Sequence, residues 1–150
     1  MPAAGLRLTT SRLPSMATDC IFCKIVAGEL PAFKVAEDDH TLTFMDLAPA
    51  TRGHALVIPK LHVADIWEVE AEQFTFVAEA ARQQALRVQE RLGADGCNLI
   101  NSCRAEGWQT VFHLHMHVIP RYAGDPMRLP WIPQSADPAE LAVTAELLSV

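Results

Sequence analysis

The chain has 150 residues, half of them apolar and a fifth charged, with a net charge of −6. That length suits one domain with a real core, and the composition excludes a disordered chain. The acidic balance argues against a nucleic-acid binder, and no apolar run is long enough for a bilayer, so neither partner is expected. Residues 1–18 carry Arg7 and Arg12 but no acidic group and no apolar stretch of an export signal. They read as a flexible extension, with Met16 an alternative start, and a cytoplasmic location is expected. The ordered part is expected to begin near Asp19 and to be punctuated by Gly28-Glu29-Leu30-Pro31. Residues 33–36 predict a short strand. Residues 41–46 alternate polar and apolar side chains, as a half-buried strand does. A loop at 49–53 leads to an apolar strand at 54–58, closed by Pro59. Phe74, Val77, Ala78, Ala81, Ala85, Val88 and Leu92 recur at helical spacing and predict a helix over about 71–91. Gly93 and Gly96 are expected to end it in left-handed conformations. Strands at 98–102 and 111–120 follow, and a proline-rich tail leads to a short helix capped by Asp137. The expectation is an α+β domain at 19–122 on a mainly antiparallel sheet, with one long helix, and a tail at 123–150.

Chemistry concentrates in the row His113, His115 and His117. Residues two apart on a strand share a face, so these imidazoles project together while Phe112, Leu114, Met116 and Val118 enter the core. Three readings stand beside one another: a polar face that happens to use histidine, a catalytic metal site, and covalent catalysis by a neutral imidazole. Cys20 and Cys23 form a C-x-x-C pair, for which metal or redox use is stronger than a disulfide framework.

His113-Leu114-His115-Met116-His117-Val118-Ile119 resembles the signature of the histidine-triad (HIT) family of nucleotide hydrolases and transferases. Cys20-Ile21-Phe22-Cys23-Lys24-Ile25, Phe44-Met45-Asp46, the block from Gly53 and His54 to Pro59 and Lys60, and Gln109-Thr110-Val111-Phe112 resemble further family blocks in order. The resemblance runs from Cys20 to about Tyr122. It implies an HIT-like fold and chemistry at the α-phosphate of a nucleoside phosphoramidate or dinucleoside polyphosphate, through a nucleotidyl-histidine intermediate. The alternative is a nucleotide-binding regulatory or interaction protein with weak catalysis.

By the same resemblance, His115 is the nucleophile, His117 a phosphate contact and His54 their neighbour, with Gln109 and Thr110 near the phosphate and leaving group. Asp46 matches a ribose-binding carboxylate. Ile25, Leu30 and Phe44 match positions around the base, and Asn101 is a further nucleotide-binding candidate. Trp108 stands where relatives often have glycine, and Thr110 where they often have serine. Cys20, Cys23, His62 and His113 match the ligands of a structural zinc in bacterial members. A purine nucleotide substrate and a homodimer are also implied.

Overall fold

The alternating segments pair into one five-stranded antiparallel sheet in a computed structural model that describes residues 19–150; the expected extension at 1–18 lies outside the described residues. The strands are β1 (Lys34–Glu37), β2 (Thr41–Met45), β3 (Ala55–Pro59), β4 (Gly96–Asn101) and β5 (Met116–Arg121), in the order β1-β2-β3-β5-β4. Helix α2 (Ala71–Leu92) crosses one face, and α1 (Ile21–Val26) precedes the sheet. The tail helix α3 (Pro138–Leu148) starts as expected, with the Asp137 carboxylate accepting from the Ala139 N–H at 2.9 Å. Among the described residues, no helix is long and apolar enough to cross a membrane.

The apolar spacing of α2 buries Val77 and Ala81 against Val57, Leu114, Met116 and Val118. Each such large side chain contributes roughly 1.5–3 kcal/mol of burial. Gly93, at φ 66°, ends the helix by donating to the Gln89 carbonyl, while the Ala94 N–H reaches back to Val88. Gly96 plays no part in that turn. It opens β4 with an ordinary φ, because one left-handed residue is enough to release the chain toward the sheet.

A second apolar cluster, with Phe22, Leu42, Phe44, Leu56 and Ile58, fills the opposite face beneath α1. Strand β2 is therefore buried on both faces, not half-buried: Thr41 and Thr43 are as covered as Leu42 and Phe44. The alternation located the strand, but it carries no information about the helix that covers its threonine face. Helix α1 has only six residues and a cysteine cap, too short for a periodic signal.

The predicted strand at 111–120 is shorter than expected. Regular pairing begins only at Met116, which faces both Val57 of β3 and Asn101 of β4. Upstream, the His113 N–H turns back to the Val111 carbonyl and the Leu114 N–H donates to Val63, so the backbone bonds leave the ladder. Phe112 falls in this bend and is half exposed instead of entering the core.

Candidate functional site

On the face away from α2, the second apolar cluster opens into a cavity of about 440 Å³ whose wall includes Ile25, Phe44, Asp46, Thr110, His115 and His117. One side is hydrocarbon and aromatic, and the other presents a carboxylate and two imidazoles. That division suits an aromatic base with a polar, charged remainder. Phe22, Pro31, Ala32 and Phe33 also line the apolar side; the sequence pattern assigned none of them a place in the site, because they sit on α1 and the irregular segment before β1. Leu30 and Asn101 lie outside this wall. Leu30 is exposed, and the Asn101 amide donates to the His115 carbonyl at 2.9 Å, holding the backbone of the histidine.

His54, His113 and His115 are buried and His117 is half-buried, and all four have tautomers set by their neighbours. The Ala50 N–H can only donate, and it reaches His54 Nδ1 at 3.0 Å, so the proton of neutral His54 is on Nε2. His54 Nε2–H then donates to His117 Nδ1 at 2.9 Å, which puts the His117 proton on its own Nε2. His115 donates through Nδ1–H to the His113 carbonyl at 2.7 Å, leaving its Nε2 with a free lone pair. His113 donates through Nε2–H to the Pro59 carbonyl at 2.8 Å, leaving its Nδ1 as a lone pair. Burial pushes the pKa of both His113 and His117 down to about 4, and holds His54 and His115 below the ordinary histidine value. Asp46 Oδ2 stands 3.5 Å from His54 Nε2 and 3.9 Å from His117 Nδ1. These three residues have the spacing of a metal site. Their tautomers oppose it, since His54 would have to surrender its Nε2 proton while Nδ1 already accepts from a backbone donor.

The geometry is opposite at the other end of the strand. Cys20, Cys23, His62 and His113 bring four donor atoms within 4.8 Å of one another. His62 Nδ1 and His113 Nδ1 are 3.3 Å apart, Cys23 Sγ is 3.3 Å from His62 and 3.6 Å from His113, and Cys20 Sγ is 3.4 Å from His113. A tetrahedral ion with bonds of about 2.0–2.3 Å needs edges of roughly 3.3–3.8 Å between such ligands. His113 offers the right lone pair, and its outward N–H is fixed by the Pro59 carbonyl, the usual support of a ligating imidazole. Burial pushes the Cys23 thiol up to about 11, the reverse of a redox-active cysteine. The four residues fit a metal ion.

Gln109 lies next to Thr110, yet its amide is turned away from the cavity and fully used. Its Oε1 accepts from the Arg104 N–H at 2.8 Å, and its Nε2 donates to the carbonyls of Ala64 and Val111 at 2.7 and 3.1 Å. Arg104 in turn pairs with Asp65, which is completely buried, and with Glu68, and its guanidinium lies over the Trp67 ring at 5.4 Å. The Asp65 carboxylate also accepts from the N–H groups of Trp67 and Glu68. This network ties the segment after His62 to the loop before the histidine row, which contains Arg104 and Trp108 at positive φ. Asp65 carried no motif in the sequence; its role comes from burial alone. Asp65→Ala is expected to destabilise the fold by about 2–3 kcal/mol, because a buried acceptor of three bonds is removed and Arg104 loses its main partner. Urea titration measures this, and a change under about 0.5 kcal/mol contradicts it.

The HIT domain model matches residues 27–124. The chain is 41% identical over 116 residues to Protein hit of Bacillus subtilis, covering 77% of this chain and 80% of that protein. It is 35% identical over 111 residues to the adenylylsulfatase HINT3 of Arabidopsis thaliana, covering 74% of this chain and 56% of that one. Among solved structures, a zinc-bound histidine triad family protein from Mycobacterium smegmatis matches with a TM-score of 0.71 at 39% identity. The match covers 77% of this chain and 84% of that one.

Proposed function

Since the chain belongs to the HIT family, we propose that it is a nucleotide hydrolase or nucleotidyl transferase acting at an α-phosphate through a covalent adduct on His115. The observation that carries this is the state of His115: buried in the cavity wall, Nδ1–H tied to a carbonyl, and Nε2 left as a lone pair. Nε2 attacks the α-phosphorus, the bond to the leaving group breaks, and the leaving group departs with its electron pair and takes up a proton. Water then attacks the same phosphorus, the P–N bond breaks, and the nucleoside monophosphate leaves with His115 restored. His117 holds a proton on Nε2 through the chain from Ala50 and His54, and supplies it as a hydrogen bond to the phosphoryl oxygens. Asp46 accepts from the ribose hydroxyls, and Ile25 and Phe44 pack on a purine. Thr110, at the exposed end of the cavity, faces the leaving group. Gln109 and Asn101 act by holding backbone, and Leu30 closes the outer edge beside Pro31.

A phosphoramidate or a dinucleoside polyphosphate is the proposed substrate. The relative named as an adenylylsulfatase supports a nucleotide bearing a displaceable group on its phosphate. The test is rapid quenching with a panel of both substrates and mapping of the protein-bound nucleotide. An adduct on His115 is expected; an adduct elsewhere, or turnover with none, overturns the proposal.

We also assign zinc to Cys20, Cys23, His62 and His113 as a structural ion. With four protein ligands it leaves no open position for substrate. It would fix the start of the catalytic segment by holding His113. A homodimer is proposed as well: β4 is an edge strand with half-exposed Leu99, and a second copy pairing there would cover it. A scattering mass of one chain contradicts that.

The pH dependence follows from His117, whose folded pKa of about 4 lies below the ordinary 6.5. Between these values the unfolded chain binds a proton that the folded one does not, so stability falls as pH drops through that window and is constant above it. Thermal unfolding from pH 8 to 4.5 is expected to show a melting temperature flat to about pH 6.5 and declining below. A stability that rises on acidification contradicts the neutral imidazole.

A further inference from the structure

Ten lysine and arginine side chains lie among the described residues, and five of them form salt bridges with carboxylates: Lys34, Lys60, Arg82, Arg104 and Arg121. Of the other five, three line a single cleft. Arg52, Arg87 and Arg91 border a cavity of about 310 Å³ whose floor is Val35, Met45, Val88 and Leu92. It lies under the carboxy-terminal end of α2, where the helix crosses the turn between β2 and β3, and its lining shares only Met45 with the nucleotide cavity.

We propose that this cleft is a second ligand site, taking a phosphate- or polyphosphate-bearing molecule with an apolar body. Arg87 and Arg91 are four residues apart on one helix face, an arrangement in which like charges repel. Proximity to a helix end favours Arg91 there, but that does not account for Arg52, which arrives from a different element. An anion between the three guanidiniums turns the repulsion into attraction, and their planar donor forks match the several oxygens of a phosphate. Gln84 adds a neutral donor. It is buried, its Oε1 accepts from Arg87 at 3.2 Å, and its amide N–H groups are left for a ligand. Arg87 also borders a smaller cleft holding Glu37 and Asp38, but neither carboxylate is within ion-pair distance of it, so its charge is not already spent. The walls are firmly built. At Gly53, with φ 89°, an added Cβ would meet Leu92 Cδ1 at 2.5 Å, so the turn carrying Arg52 packs directly on the helix end.

The test is calorimetric titration of the full chain with inorganic tripolyphosphate at low ionic strength, with citrate as a tricarboxylate control. Saturable binding is expected in the native protein and, with the same affinity, when the other cavity has first been saturated with a nucleoside monophosphate. Arg87→Gln and Arg91→Gln are each expected to weaken it by about tenfold, with circular dichroism unchanged because Arg91 is exposed and Arg87 only half-buried. Added salt should weaken it further. No saturable binding overturns the site, as does binding abolished by the nucleoside monophosphate but kept in the arginine variants. Citrate binding as tightly as tripolyphosphate overturns the phosphate assignment.

Discussion

His115→Ala is expected to lower turnover by about 10⁴-fold or more, equivalent to about 5.5 kcal/mol of barrier, while leaving nucleotide affinity within a few-fold. The asymmetry follows from the division of labour in the cavity. In the proposed mechanism, binding rests on the apolar wall around Phe44 and on Asp46, and neither depends on the His115 side chain. The proposed bond-forming atom is the His115 Nε2 lone pair, for which no neighbour substitutes: His117 Nδ1 is occupied by His54, and His113 points toward the cysteines. Asp46→Asn should show the opposite pattern, raising KM more than it lowers kcat. Single-turnover kinetics with a bound-nucleotide titration separates the two. His115→Ala with activity within tenfold of native removes the nucleophile from that position.

The second large effect concerns the Cys/His cluster. Cys23→Ser is expected to abolish stoichiometric zinc binding and to lower the melting temperature by about 10 °C, the equivalent of about 3 kcal/mol or more of linked stability. Two of the four proposed ligands come from the cap and first turn of α1, which is too short to hold itself in place. The other two come from the segment after β3 and from the bend before β5, so one ion would join three pieces of chain that ordinary ladder bonds do not connect. Metal analysis of the purified protein and differential scanning calorimetry with and without a chelator measure this. A protein that carries no zinc, and whose melting is indifferent to both chelator and Cys23→Ser, would falsify the assignment. The two variants also separate the roles of neighbouring histidines: the first should leave zinc content unchanged, and the second should reduce activity only through the fold.

The long helix was the most legible element, because seven apolar positions at helical spacing lie on one stripe and a glycine follows it. Its observed span, Ala71–Leu92, differs from the expected 71–91 by one residue. The strands were legible by alternation to within one or two residues, except at the histidine row. There the chain continues to alternate apolar and imidazole side chains although its backbone has left the sheet. Side-chain pattern reports which face a residue presents. It does not report whether a neighbouring backbone is present to accept the ladder bonds, and β4 ends at Asn101, opposite Met116.

Most of the candidate site was legible because its chemistry is carried by rare residue types. Six histidines and four cysteines in 150 residues leave few ways to assemble two clusters, and the family blocks assigned their members. What the sequence by itself determined is therefore the inventory: an α+β chain of the HIT family, a row of imidazoles, a paired thiol, and a carboxylate at the end of a strand. Only the tertiary structure decided how that inventory is used. The Ala50 N–H and the carbonyls of His113 and Pro59 are backbone groups that any sequence possesses, yet they set which nitrogen of His54, His115 and His113 keeps its lone pair. Gln109 looked like a substrate contact from its place in a motif and is spent on backbone instead. Asp65 and the three arginines of the second cleft look ordinary in the sequence. Burial gives the first its weight, and convergence of two separate elements gives the others theirs, and neither property exists until the chain is folded.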